Sequence, residues 1–264
     1  KPSGQYYMDD LHKAGGLAPI LRELRPLLHL DCLTVTGRTL GEEIDNLPKP
    51  YEQDVVRTFD SPIHSGGSIA VLGGNLAGNG AIIKQSASTK ELLVHTGRAV
   101  VFDSVEDLSK RIDDPDLDVQ ENDVLVMRNA GPRGAPGMPE AGYIPIPKKL
   151  AQQGVKDMVR ISDARMSGTA FGTIILHVSP EAAIGGPLAL VKNGDSITLN
   201  VPDRLLILHV TEEELQRRRG RLIPAADTST MRGYLRLFHE HVTQAETGCD
   251  FDFLSANRIR ETTP

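Results

Sequence analysis

The chain has 264 residues, enough for one large domain or a domain with a substantial appendage, and its hydrophobic (39%) and charged (24%) fractions are those of an ordinary globular protein. A formal net charge of −6 argues against a general polyanion-binding surface, because nucleic-acid partners are met by a basic footprint. No run of about 18 apolar residues reads as a membrane span, the start KPSGQYYMDD lacks the three-part pattern of a secretory leader, and Cys32 and Cys249 alone make neither a disulfide framework nor a thiolate site, so a cytoplasmic protein without nucleic-acid or membrane partners is expected.

Along the chain, Leu17, Ile20, Leu21, Leu24 and Leu28 recur at helical spacing. Thr39 and Glu42 form a capping box for a second short helix that NLPKPYEQ interrupts, so residues 1–50 read as helical. From Ser68 the texture changes to short β-rich runs (SIAVL, GAIIK, AVVF, VLVM, MVRI, TIILHV) separated by glycine-rich or polar turns. VEDLSKRI and PKKLAQQ read as helices between them, which makes the fold α/β; the patterns leave strand order and closure open, and a compact barrel-like sheet is compatible with them. DSITLNVPDRLLILHV reads as two strands around a Pro-Asp turn, and Thr211 with Glu214 as the capping box of the helix TEEELQRRR. An amphipathic stretch around MRGYLRLFHEHV and a polar tail follow, and docking onto another domain or subunit would account for them.

Two segments concentrate unusual chemistry. In GPRGAPGMPEAGYIPIPKKL, alternating glycines and prolines build a loop that neither helix nor strand accommodates, and it presents Glu140 on a constrained backbone. A carboxylate so placed suits a hard cation such as Mg²⁺, and equally a solvated surface glutamate. In ISDARMSGTAFGT an apolar strand runs into a polar turn carrying Ser162, Asp163, Arg165, Ser167 and Thr169. Ser167 lacks the spacing of a hydrolase nucleophile elbow, and its use as a base would require a metal or cationic neighbour to depress its pKa.

These segments, with KPSGQYYMDDLHKAGGL, HSGGSIAVLGGNLAGNGAIIK and SDARMSGTAFGTIILHVSPEAAIGGPLALV, resemble the dihydroxy-acid and sugar-acid dehydratase family over nearly the whole chain, and its pentonate branch in particular. The resemblance implies dehydration of a sugar acid to a 2-keto-3-deoxy acid. It places Glu140 at a ligand of the active-site Mg²⁺, Ser167 at the alkoxide base that removes the C2 proton, and Thr169 at a neighbouring substrate-binding hydroxyl. It further implies an iron-sulfur cluster, 2Fe-2S, assisting loss of the C3 hydroxyl, with its cysteine ligands in an amino-terminal domain missing from this chain. The domains implied are a helical remnant of that amino-terminal metal-binding domain over 1–55, a β-rich, swivelling β/β/α domain over 56–222, and a helical carboxy-terminal tail over 223–264. A homo-oligomer is expected, and the isolated chain is expected to be inactive. Two alternatives remain: a dihydroxy-acid dehydratase of branched-chain amino-acid synthesis, and a noncatalytic binding or assembly domain.

Other patterns favour structural roles. The glycines of GGSIAVLGGNLAGNG lack phosphate-loop spacing, with Lys84 beyond them in an apparent strand, and read as close-packed turns. His177 and His209 read as satisfied sheet histidines, His239 and His241 as a helical surface or interface pair, and Arg217 to Gly220 as a solvated helix end.

Overall fold

The computed structural model describes residues 4–49, 51–64, 66–138, 140, 144–222 and 230–254. The chain divides into two compact units, Lys1–Gly67 and Ser68–Pro264. In the first, three short helices, α1 (Met8–Lys13), α2 (Leu17–Leu24) and α3 (Leu40–Asp45), are joined by turns. The α3 capping box forms as its sequence predicts: the Thr39 hydroxyl accepts from the Glu42 N–H at 3.2 Å, and the Glu42 carboxylate accepts from the Thr39 N–H at 2.7 Å.

The second unit is built on one mixed sheet of eight strands in the order β1-β2-β6-β5-β4-β3-β7-β8. They are β1 (Ala70–Leu72), β2 (Gly80–Ile83), β3 (Val94–Phe102), β4 (Val124–Met127), β5 (Arg160–Ser162), β6 (Ile174–Ser179), β7 (Ser196–Asn200) and β8 (Leu205–Leu208). The four central strands are parallel, as crossovers through α4 (Val105–Arg111) and α5 (Lys148–Gln152) require, and the flanking pairs are antiparallel. The two ends of the order meet where Gly73 bridges Leu205, with Gly73 N–H donating to Arg204 O at 2.8 Å and Leu206 N–H to Gly73 O at 2.7 Å. The sheet is thereby nearly closed and barrel-like. Gly74 (φ +121°) makes that approach possible, since a Cβ there would lie 2.4 Å from the Leu206 carbonyl oxygen.

Strand alternation sorts the core into two layers. Leu72, Ile83, Ala99, Val101, Val124, Val126, Ile161, Ile175, Ile197, Leu199 and Leu206 fill the barrel. The intervening Val100, Phe102, Leu125, Met127, Ile174 and Leu176 face outward and are covered by Leu108 and Ile112 at α4 and Leu150 of α5. Each such fully buried side chain contributes roughly 1.5–3 kcal/mol, so the central strands are apolar on both faces and read as continuous runs.

Two expectations at the carboxy-terminal side need revision. α6 (Glu212–Arg219) carries the Thr211 cap, but the Glu214 carboxylate turns to Arg217 and Arg218 instead of completing a capping box. Arg218 is also not solvated: it pairs with Asp195 (Nη2–Oδ1 3.0 Å) and donates to Leu190 O at 2.8 Å, with side-chain exposures of 10% and 11% for the two partners. After α7 (Gly233–His241), Val242 is buried and Gln244 and Glu246 bind back onto the chain's own barrel at Glu181 and Asn79. These contacts fix the residues that follow α7, whereas Tyr234, Leu235 and Leu237 of the helix itself stay exposed; residues 223–229 and 255–264 of the expected tail lie outside the described residues. No described helix is long and apolar enough to cross a membrane.

Candidate functional site

Both chemically unusual segments leave the carboxyl ends of adjacent parallel strands, β4 and β5, the end at which open α/β sheets commonly place their ligands. Two buried carboxylates shape the first loop. Asp163, just past β5 and 1% exposed, accepts from Asn129 N–H (3.2 Å), Ala130 N–H (2.9 Å) and Ala182 N–H (2.9 Å). Burial pushes its carboxyl up to about 6, against the pull of those donors, with Glu181 adding to the rise. Glu181, also 1% exposed, accepts from Arg133 N–H (2.9 and 3.0 Å), Gly134 N–H (2.9 Å) and the Gln244 side-chain amide (2.7 Å). Gly131 lets that carboxylate in, since a Cβ there would lie 2.6 Å from Glu181 Oε2.

The second loop, 163–173, is held at several points. The Met166 N–H donates to His177 Nε2 at 2.8 Å, which fixes that imidazole nitrogen as an acceptor; burial, and then Arg165, depress the His177 pKa and favour this neutral form. Lys84 Nζ, just past β2, donates to Gly168 O at 2.8 Å and Ala170 O at 3.3 Å. Ala164 and Ala170 are buried, and the far end is tied by the buried Asp157–Arg160 pair, with Asp157 accepting from Thr173 N–H at 2.9 Å.

Between these anchors the Ser167 and Thr169 hydroxyls lie 3.0 Å apart, and the Thr169 N–H donates to Ser167 Oγ at 3.3 Å. The two loops meet at a 3.1 Å ion pair between Arg165 Nη1 and Glu140 Oε1, both side chains 47% exposed. The three residues singled out from the sequence therefore lie on two loops in direct contact. Pro139 and residues 141–143, which flank Glu140, lie outside the described residues. Sequence reasoning missed Lys84, Asp163 and Glu181 as supports of these loops. Their partners are remote in the chain, and only the clash of glycines and prolines with regular structure hinted that the loop needed anchors.

The donor set fits one of the two implied inorganic groups in part. Glu140 is a charged oxygen donor reachable from solvent, suited to be one of the few carboxylates by which Mg²⁺ is held. Among the described residues there is no group of three or more His, Cys, Asp or Glu placed to hold a metal. The thiols do not fit an iron-sulfur cluster. Cys32 is exposed in the first unit, and Cys249 sits 3.5 Å from Met138 Sδ with its pKa pushed up by burial and by Glu181 and Glu246, the reverse of what a thiolate ligand needs. The concavity lined by Arg98, Arg111, Asp118 and Asn193 shares no residue with this site, and its guanidiniums are already paired to Asp118, Asp123 and Asp107.

Comparison with known proteins bears on the same residues. The profile of the dihydroxy-acid/6-phosphogluconate dehydratase C-terminal domain matches residues 54–249, and that of the N-terminal domain matches residues 1–43. The chain is 50% identical over 259 residues to an L-arabinonate dehydratase of Rhizobium leguminosarum, covering 97% of this chain and 44% of that protein. It is 50% identical over 258 residues to a 6-deoxy-6-sulfo-D-gluconate dehydratase of Pseudomonas putida, with coverage of 97% and 44%. A dihydroxy-acid dehydratase of Methanosarcina acetivorans is 42% identical over 253 residues, covering 94% of this chain and 44% of that protein. The chain thus spans less than half the length of these relatives.

Proposed function

Because this chain belongs to the dihydroxy-acid/6-phosphogluconate dehydratase family, we propose that it supplies the base-bearing part of a hydro-lyase that converts a sugar acid, in the first instance a pentonate, to a 2-keto-3-deoxy acid. The observation that supports this reading is the ion pair joining the Glu140 loop to the loop of Ser167 and Thr169, together with the contact between those two hydroxyls.

In this reading Ser167 Oγ, as alkoxide, takes the C2 proton of the substrate. The C3 hydroxyl is lost as water, and the resulting enol tautomerises to the ketone. Thr169 donates to Ser167 or to a substrate hydroxyl, and so orients the base. Positive charge at this loop, from Lys84 and from an Arg165 already paired with Glu140, favours the deprotonated serine. Glu140 would hold Mg²⁺, which when bound supplies Lewis acidity to the substrate carboxylate and adjacent hydroxyl. Relatives named for sugar acids are about 50% identical and those named for dihydroxy acids 40–42%, which favours the sugar acid as substrate. An amino-terminal portion of the length found in the relatives would complete the site, and assembly as a homo-oligomer is part of the proposal.

The test is turnover of arabinonate and xylonate by the full-length protein, read as 2-keto acid formed. Ser167→Ala is expected to lower kcat by roughly 10²–10⁴-fold, the scale of general base catalysis. Glu140→Gln is expected to raise the Mg²⁺ concentration needed for half-maximal rate. Unaltered turnover in Ser167→Ala removes Ser167 from the mechanism.

A further inference from the structure

We infer that Lys84 is a positioning residue for the proposed base, its ammonium holding the main chain on both sides of Thr169 and placing a fixed positive charge beside Ser167. The inference rests on the reading of Ser167 given above. Its geometry is independent of that reading: Nζ reaches Gly168 O at 2.8 Å and Ala170 O at 3.3 Å, 84 and 86 positions away in sequence.

Several features make this more than a surface contact. Lys84 directly follows Ile83, which is fully buried in the barrel, and Lys84 O accepts from Ser88 Oγ at 3.0 Å and from the Ala87 N–H at 3.0 Å, so the lysine stem starts from a fixed backbone. Gly172 N–H donates to Ala87 O at 2.9 Å, tying the same turn to the far end of the Ser167 loop. Lys84 is thus the side-chain component of a two-stranded tether from the β2 end to that loop. His177 secures the opposite limb through the Met166 N–H. The segment between these holds, Ser167 to Thr169, carries the two hydroxyls.

A hydroxyl holds its proton tightly in water, and an alkoxide base needs positive charge near it. Arg165, on this loop, is also a cation, but its guanidinium is paired with Glu140. Lys84 donates to neutral carbonyls, so its charge stays uncompensated by those partners.

The experiment compares Lys84→Met, Lys84→Gln and Lys84→Arg with Ser167→Ala in the full-length enzyme. The expected result is a kcat loss of roughly tenfold or more in Met and Gln, the scale of a charge-assisted hydrogen bond, with KM within about twofold. The limb of the kcat/KM profile that reports the base should move up by about one pH unit in both neutral variants and stay in place in Lys84→Arg. Gln can keep a carbonyl contact without the charge, and serves if Met does not fold. A neutral variant that folds with the wild-type unfolding midpoint and leaves both kcat and the limb unmoved overturns the inference. So does a kcat loss with the limb unmoved, which assigns Lys84 a structural role alone. Retained turnover in Ser167→Ala is a different result: it refutes the assignment of the base itself.

Discussion

Replacing Glu181 by Gln tests how the Glu140 loop is held. The carboxylate is 1% exposed, and its two oxygens receive Arg133 N–H, Gly134 N–H and the Gln244 amide, all between 2.7 and 3.0 Å. A glutamine has one oxygen. If its NH₂ takes the Oε2 position it confronts the Gly134 N–H, and if it takes Oε1 it confronts the Gln244 amide. Gln244 cannot relieve this by flipping, because its own oxygen accepts from the Glu181 N–H at 3.0 Å. One buried donor is therefore left unpaired against another donor, and the remaining bonds lose their charge assistance. With about 1–3 kcal/mol for an unsatisfied buried group, a loss of about 2–4 kcal/mol is expected. Urea unfolding followed by circular dichroism measures it, and limited proteolysis should show faster cleavage between residues 131 and 138. A loss below about 1 kcal/mol with unchanged cleavage would refute the view that Glu181 anchors this loop.

Asp163 gives a pH signature. Its folded-state pKa of about 6 lies above the unfolded value near 4, so the native state holds the extra proton in that window, and this group's contribution falls as pH rises from about 4 to about 6, by up to about 3 kcal/mol. Asp163→Asn should remove that slope from a plot of urea midpoint against pH, and parallel plots would contradict the assignment. Gly74→Ala should cost about 3 kcal/mol or more, since the methyl would sit 2.4 Å from Leu206 O at a strained positive φ; a melting temperature within about 2 °C of wild type would show that the barrel closes without this approach. Arg218→Ala should destabilise by about 2–4 kcal/mol by stranding the largely buried Asp195, and Arg219→Ala, at an exposed pair, by less than about 1, both read from unfolding midpoints.

What the sequence revealed depended on range. The Thr39–Glu42 box spans four residues and is readable directly, and the runs AVVF, VLVM and TIILHV announce strands because both their faces are covered. The Glu140 and Ser167 segments stood out because glycine, proline and hydroxyl residues interrupt apolar patterns there. Nothing local, however, announces that Gly73 will meet Leu205, that Asp163 and Glu181 will reach across to one loop, or that Lys84 will tie down another. The RRR run looked solvated for the same reason: the pairing of Arg218 with Asp195 depends on how β7 and α6 fold back on each other. Composition and period report the surroundings of a strand or helix, while a tertiary hydrogen bond belongs to two places at once.

The Gly73–Leu205 bridge also shapes what another chain would meet at that seam of the sheet. At this bridge the Gly73 N–H is taken by Arg204 O and the Leu206 N–H by Gly73 O, so a strand from a second copy or a misfolded neighbour finds those amides already occupied. A companion chain that approaches this seam meets side chains and loop surfaces, where shape and charge discriminate between candidates more finely than a backbone ladder does.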